Sequence, residues 1–302
     1  MAELARKRNV FARHSWENSF YLERIGQLNG ATVVEVFVEG NLDDVLPKAR
    51  RTAEILERLA IVSSTLGLRR PRTHQLLSIS AHRRYGFDLA ISPGFEYLRS
   101  SSRRDAQPRG IPINPSFVRR FTRCGFPSLL AVLETDGELA KRLWQGLVWL
   151  FESRLEPSAT AAVVKSAIAL ESLLIANDSE SLRGPLSERA AFLLSDSATT
   201  RRRISKGVKA FYDLRSAVVH GGRRRSAIAP TEVIEGVDRM IVLLMLTLAA
   251  NSSAWPKFES AVEAVEDLKW GASSAKIARP FPNSHLTRAV QLLESPSRRS
   301  AT

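Results

Sequence analysis

Phe211-Tyr212-Asp213-Leu214-Arg215-Ser216-Ala217-Val218-Val219-His220-Gly221-Gly222 is the stretch on which the reading of this chain turns. It has the form of a helix end, stopped by paired glycines, with an arginine and a histidine separated by four residues. At 100° per residue from Ile204, Val208, Phe211, Val218 and Val219 fall at about 40, 340, 320 and 60°. Arg215 falls at about 20°, inside that apolar stripe. A guanidinium aimed at a core must be paired or open onto a cleft, because burying an unpaired charge costs too much. His220 falls at about 160°, so one straight helix holds it away from Arg215. Either the helix ends at His220, or a second protomer completes the site.

The same wheel applied to the helix opened by Pro157-Ser158 supplies a partner. Numbered from Val163, Ala167, Leu174, Val164 and Ile175 fall at about 40, 20, 100 and 120°, and Glu171 lies among them at about 80°. An acid and an arginine, each centred on a core-facing stripe, predict a buried pair of Glu171 with Arg215; Arg189 is the rival partner. Basic residues flank the motif on both sides. Arg201, Arg202, Arg203, Lys206 and Lys209 precede it and Arg223, Arg224 and Arg225 follow it, with Asp213 the one acid from 200 to 226. Such a run is either a solvated face or a track for a phosphate backbone, and its bracketing of the motif favours the second.

Charge over the whole chain points the same way. The 302 residues carry a formal charge of +13, with 44% hydrophobic and 25% charged residues, the balance of a soluble globular protein with an acidic partner. RNA is the first candidate. One cysteine, Cys124, excludes an internal disulfide and a multi-thiolate metal site; neither metal nor cofactor is expected. Residues 1 to 8 lack the apolar run of a signal peptide, and the apolar run from Met240 to Ala250 is too short to span a bilayer. No membrane association and a cytoplasmic location are therefore expected.

In chain order, residues 1–98 read as a small α+β module, a sensor or a structural cap. Strands are expected at 31–39, 75–81 and 85–91, with a helix at about 49–66. Residues 99–116, rich in Ser, Arg and Pro, read as a linker. Residues 117–270 read as an all-α, up-and-down helical bundle, and the fold overall as mainly α. Helices are expected at 117–133 with a break at Gly125-Phe126-Pro127, then at 138–154, 157–175, 186–195, 199–220, 231–250 and from Trp255-Pro256 to Trp270. Trp144 and Trp149 read as core or dimer-interface residues. Residues 271–302 read as a basic, partly disordered tail with a terminal helix at 285–294.

Three blocks together carry a family resemblance: Ala169-Leu170-Glu171-Ser172-Leu173-Leu174, Leu186 to Leu194, and Tyr212-x2-Arg215-Ser216-x3-His220-Gly221. In order and spacing they resemble the Apea-like HEPN family, whose signature is Rx4-6H, over roughly residues 130 to 252. The resemblance implies a HEPN-like bundle and a metal-independent endoribonuclease that works as a homodimer, in antiviral defence or toxin-like growth arrest. A regulatory protein partner is compatible with that setting. It assigns Arg215 and His220 the catalytic roles, with Tyr212, Ser216, Glu171 and Arg189 in support. Ser216 stands where many members carry Asn, Asp or His. Two other readings stay open: a catalytically silent HEPN scaffold that dimerises and binds RNA, and a DNA-binding regulator.

Overall fold

The apolar run that begins at Thr231 becomes the axis of the fold. A computed structural model describes residues 42–67, 86–92, 95–101, 115–156, 158–175, 182–219, 231–271 and 276–299. The described residues form α1 (Leu42–Gly67), the strands β1 (Gly86–Ser92) and β2 (Phe95–Ser101), α2 (Pro115–Arg123) and α3 (Phe126–Leu133). These are followed by α4 (Glu138–Leu155), α5 (Ala159–Leu174), α6 (Arg183–Leu194) and α7 (Ala198–Val219). Then come α8 (Thr231–Ala250), α9 (Phe258–Trp270) and α10 (Asn283–Arg299). The protein is mainly helical, a helical bundle. Every residue of α8 from 233 to 249 is buried, as expected of a helix that is apolar all round. Helices α1, α3, α4, α5, α6, α7 and α10 all touch it.

Burial of α8 includes three charges, and each is paired. Asp238 accepts a hydrogen bond from Ser166 Oγ on α5 (2.7 Å) and faces Arg154 Nη1 of α4 at 3.4 Å. Ser153 Oγ lies 2.7 Å from Ser166 Oγ and donates to the Ala162 carbonyl, so α4, α5 and α8 are tied by one polar network. Arg239 pairs with Glu235 one turn earlier at 3.2 Å. Pairing of this kind offsets part of the cost of taking charged groups out of water.

The helices from 115 to 270 lie close to their expected spans. The break at Gly125 is real: its φ of 84° is left-handed, and a Cβ there would come within 2.7 Å of Pro280 Cγ. Cys124 is a buried small residue whose thiol burial pushes up in pKa, 3.7 Å from His285 Nε2.

The amino-terminal expectation needs correcting. A separate α+β module over 1–98 is not supported, because its helix belongs to the helical body: α1 packs on α3, α4 and α8. Its buried stretch runs unbroken from Leu59 to Leu66. The three hydroxyls that interrupt it, Ser63, Ser64 and Thr65, donate to the Ala60, Ile61 and Val62 carbonyls, so they enter the core satisfied. The strand expected at 85–91 pairs antiparallel with a second strand, Gly86 opposite Ser101 and Ser92 opposite Phe95. That second strand runs into the segment read as a linker. The strands expected at 31–39 and 75–81 lie outside the described residues.

In the tail, the terminal helix expected at 285–294 is present as the longer α10, and it is more than a peripheral element. Residues 276–294 are built into the core through Ile277, Phe281, Leu286, Ala289, Val290, Leu292 and Leu293. Helix α10 lies along α8 and α7, where Gly236 and Gly207 let it approach: a Cβ on Gly236 would meet the Ala289 carbonyl oxygen at 3.0 Å, and one on Gly207 would meet Leu293 Cδ1 at 2.9 Å. Ser, Pro and Arg in the neighbouring sequence mask an apolar stripe of ordinary helical spacing.

Candidate functional site

Helix α7 turns Ile204, Gly207, Val208, Phe211 and Tyr212 into the core. One turn beyond Phe211 the same stripe brings Arg215 to the edge of the core, with its side chain 23% exposed. Opposite it on α5 stands Glu171, 21% exposed, its Oε1 at 3.8 Å from Arg215 Nη2. The expected pairing of Glu171 with Arg215 is present, but it is half-open to solvent, and the phenol of Tyr212 shares it. Tyr212 Oη donates to that same Glu171 oxygen at 2.8 Å, and the Arg215 guanidinium lies 5.5 Å from the centre of the Tyr212 ring. Burial, and then the bond to Glu171, push the Tyr212 pKa up to about 12, so near neutrality the phenol is a donor.

This arrangement holds Arg215 by charge and ring face without consuming its N–H groups. Its buried Nε has no hydrogen-bond partner. Two anchors on a side chain that stays partly exposed suit a guanidinium that receives an external anion. Arg189 is placed elsewhere: its Nη1 donates to the Leu174 carbonyl at 2.7 Å, closing the end of α5. Ser216 is partly buried one residue beyond Arg215. His220, Arg223, Arg224 and Arg225 lie outside the described residues.

The first basic cluster divides by helix face. Arg201 lies with its guanidinium 4.0 Å from the Phe192 ring centre and donates Nε to the Ser195 carbonyl at 2.6 Å, and burial pulls its pKa down. Arg203 makes a two-pronged pair with Glu294 of α10, both bonds 2.7 Å, which pushes its pKa up. These two arginines hold the fold together. Arg202, Lys206 and Lys209 are exposed on the outer face of α7, where they line a groove of about 670 Å³ against α6.

Several side chains near this groove were not singled out in the sequence. Arg183 bonds Asp213 at 2.7 Å, and Lys269 of α9 bonds Glu188 of α6 at 2.6 Å. Trp270, 77% exposed, is the next residue along α9. Positions 202, 206, 209 and 213 fall at about 160, 200, 140 and 180° on the wheel used for Arg215, so their shared stripe was available to that reading. The facing residues of α6 and α9 were not, because they join it only through tertiary packing.

Among the described residues no group of three or more His, Cys, Asp or Glu side chains is placed to hold a metal ion, and no helix is long and apolar enough to cross a membrane. Comparison with protein-family models, with curated proteins and with solved structures finds no match to this chain.

Proposed function

We propose that the protein is a metal-independent endoribonuclease of HEPN type, with Arg215 and His220 as its catalytic pair. The observation that supports this most is the setting of Arg215: anchored by Glu171 and Tyr212 at the rim of the core, with its side chain still 23% exposed. Held in direction yet open to solvent, the guanidinium can meet a phosphate that arrives from outside.

RNA brings its own nucleophile, the 2′-hydroxyl. A histidine of ordinary pKa near 6.5 removes that proton as base, or protonates the leaving 5′-oxygen as acid, near neutral pH. The 2′-oxygen attacks the adjacent phosphorus and the bond to the 5′-oxygen breaks, leaving a 2′,3′-cyclic phosphate and a 5′-hydroxyl. Arg215 cannot deprotonate in this range, and its role is to neutralise the charge that develops on the phosphorane oxygens.

Purified protein incubated with total RNA in EDTA should yield fragments with cyclic phosphate ends, and Arg215→Ala or His220→Ala should abolish them while the far-ultraviolet circular dichroism stays unchanged. Cleavage that survives both substitutions, or that requires added Mg²⁺, would overturn the assignment.

A further inference from the structure

The groove between α6 and α7 lies on the side of α7 away from Arg215, and its charge balance is unusual. Two acids line it, and each is already neutralised. Asp213 is bonded to Arg183 at 2.7 Å, and Glu188 to Lys269 at 2.6 Å. Arg202, Lys206 and Lys209 have no acidic partner among the described residues. They sit at steps of four and three residues, so they form a row about 10 Å long on one face of the helix. Arg201 stacked on Phe192 supplies one wall. A row of three unneutralised cations in a groove of about 670 Å³ attracts an extended polyanion.

Trp270 narrows the class of polyanion. Its ring centre is 5.7 Å from Lys269 Nζ, the same atom that reaches Glu188 at the groove. A large aromatic left 77% exposed beside the lysine that reaches a cationic groove is a pairing that suits single-stranded nucleic acid, phosphates on the cations and a base on the ring. A bilayer surface does not enter a groove of this shape, and an acidic peptide does not carry a stacking ring on every anionic repeat as a nucleic acid does.

We infer that this groove is a track for single-stranded RNA, with Arg202, Lys206 and Lys209 on consecutive phosphates and Trp270 stacked on a base. That the strand is RNA rests on the ribonuclease reading; that it is a single-stranded nucleic acid rests on the groove itself. The track lies on the stripe of α7 opposite the one that carries Arg215, so holding the strand and stabilising the reacting phosphate are tasks of different helix faces.

The test uses the full chain and a fluorescein-labelled 12-nucleotide RNA with 2′-O-methyl groups, which cannot be cleaved through its 2′-oxygens, so binding is read apart from activity. Replacing Arg202, Lys206 and Lys209 together with Ser should weaken binding about tenfold or more at low salt. It should also flatten the log–log salt slope by about 2, three contacts at about 0.7 each. Trp270→Ala should weaken binding about fivefold or more and leave the salt slope unchanged. All four side chains are exposed, so neither variant disturbs the core. Equal competition by polyglutamate or by anionic vesicles would overturn the assignment to nucleic acid. Unmodified RNA cleaved by wild type, with binding indifferent to all four substitutions, would overturn the track and leave the ribonuclease reading standing. Binding lost in the variants, with no cleavage by wild type, would keep the track and overturn the ribonuclease.

Discussion

Tyr212 is the residue whose titration reports on its own burial beside Glu171. Its folded pKa, pushed up to about 12, lies above the value near 10 of an unfolded tyrosine. The folded state therefore holds the proton more tightly, and the stability this contributes is complete below pH 10 and lost as pH rises towards 12. Urea unfolding of wild type and Tyr212→Phe should differ by about 1 kcal/mol at pH 8, and the gap should narrow by pH 11. A gap that stays constant would mean that the phenol is not held by Glu171 in solution. Glu171→Ala should cost more, about 1–3 kcal/mol, because it leaves the Tyr212 hydroxyl without an acceptor and Arg215 without its counter-charge. The loss stays below the cost of breaking a fully buried pair because both side chains keep about a fifth of their exposure. Helical spacing alone set Glu171 and Arg215 on facing stripes. The phenol between them was not legible in the sequence, because the partner of a hydroxyl depends on the distance between two helices. Arg201, Arg202 and Arg203 make the same point: three identical letters, 100° apart, meet an aromatic ring, open solvent and a glutamate.

At the scale of elements, the contact of α10 with α8 is sensitive to a single added atom. A Cβ on Gly236 would come within 3.1 Å of Leu292 Cβ and Leu293 Cγ as well as 3.0 Å from the Ala289 carbonyl oxygen. Alanine is the better helix former by about 1 kcal/mol, yet Gly236→Ala should be net destabilising, by up to about 2 kcal/mol, since overpacking a fitted contact costs about 1–3. Thermal unfolding of the variant checks this, and an unchanged or raised Tm would mean that α10 is loosely held. The helical spans from 115 to 270 could be read from periodicity, caps and breakers, since each has its own apolar stripe. What failed at both ends of the chain was the assignment of neighbours. Helix α1 looked like part of another module because expected strands flank it and a linker-like segment follows, and α10 looked peripheral because of the composition around it.

For the molecule as a whole, a helical body with a cationic groove was foreseeable in part: the excess of positive charge from composition, the place of the groove only from the fold. The ribonuclease reading carries a further expectation about assembly. Arg215 and position 220 are about 140° apart on one straight helix, so two protomers related by a two-fold axis are the simplest way to gather both groups at one phosphate. Val219, 47% exposed in the last turn of α7, is available at that end of the helix for such a contact. Light scattering at micromolar concentration should give about twice the mass of one chain. A monomer that nonetheless cleaves RNA would show that a single protomer holds the complete site.

The position of α10 in the chain also has a consequence in time. The long apolar axis α8 is covered along one side by a helix that begins more than thirty residues after α8 ends. At a synthesis rate of roughly 5–20 residues per second, that side stays bare for several seconds on the ribosome. In that interval the nascent chain exposes apolar surface of the kind that aggregates when left uncovered. The Arg203–Glu294 clasp, which steadies the helix bearing Arg215, can close only after the interval has passed.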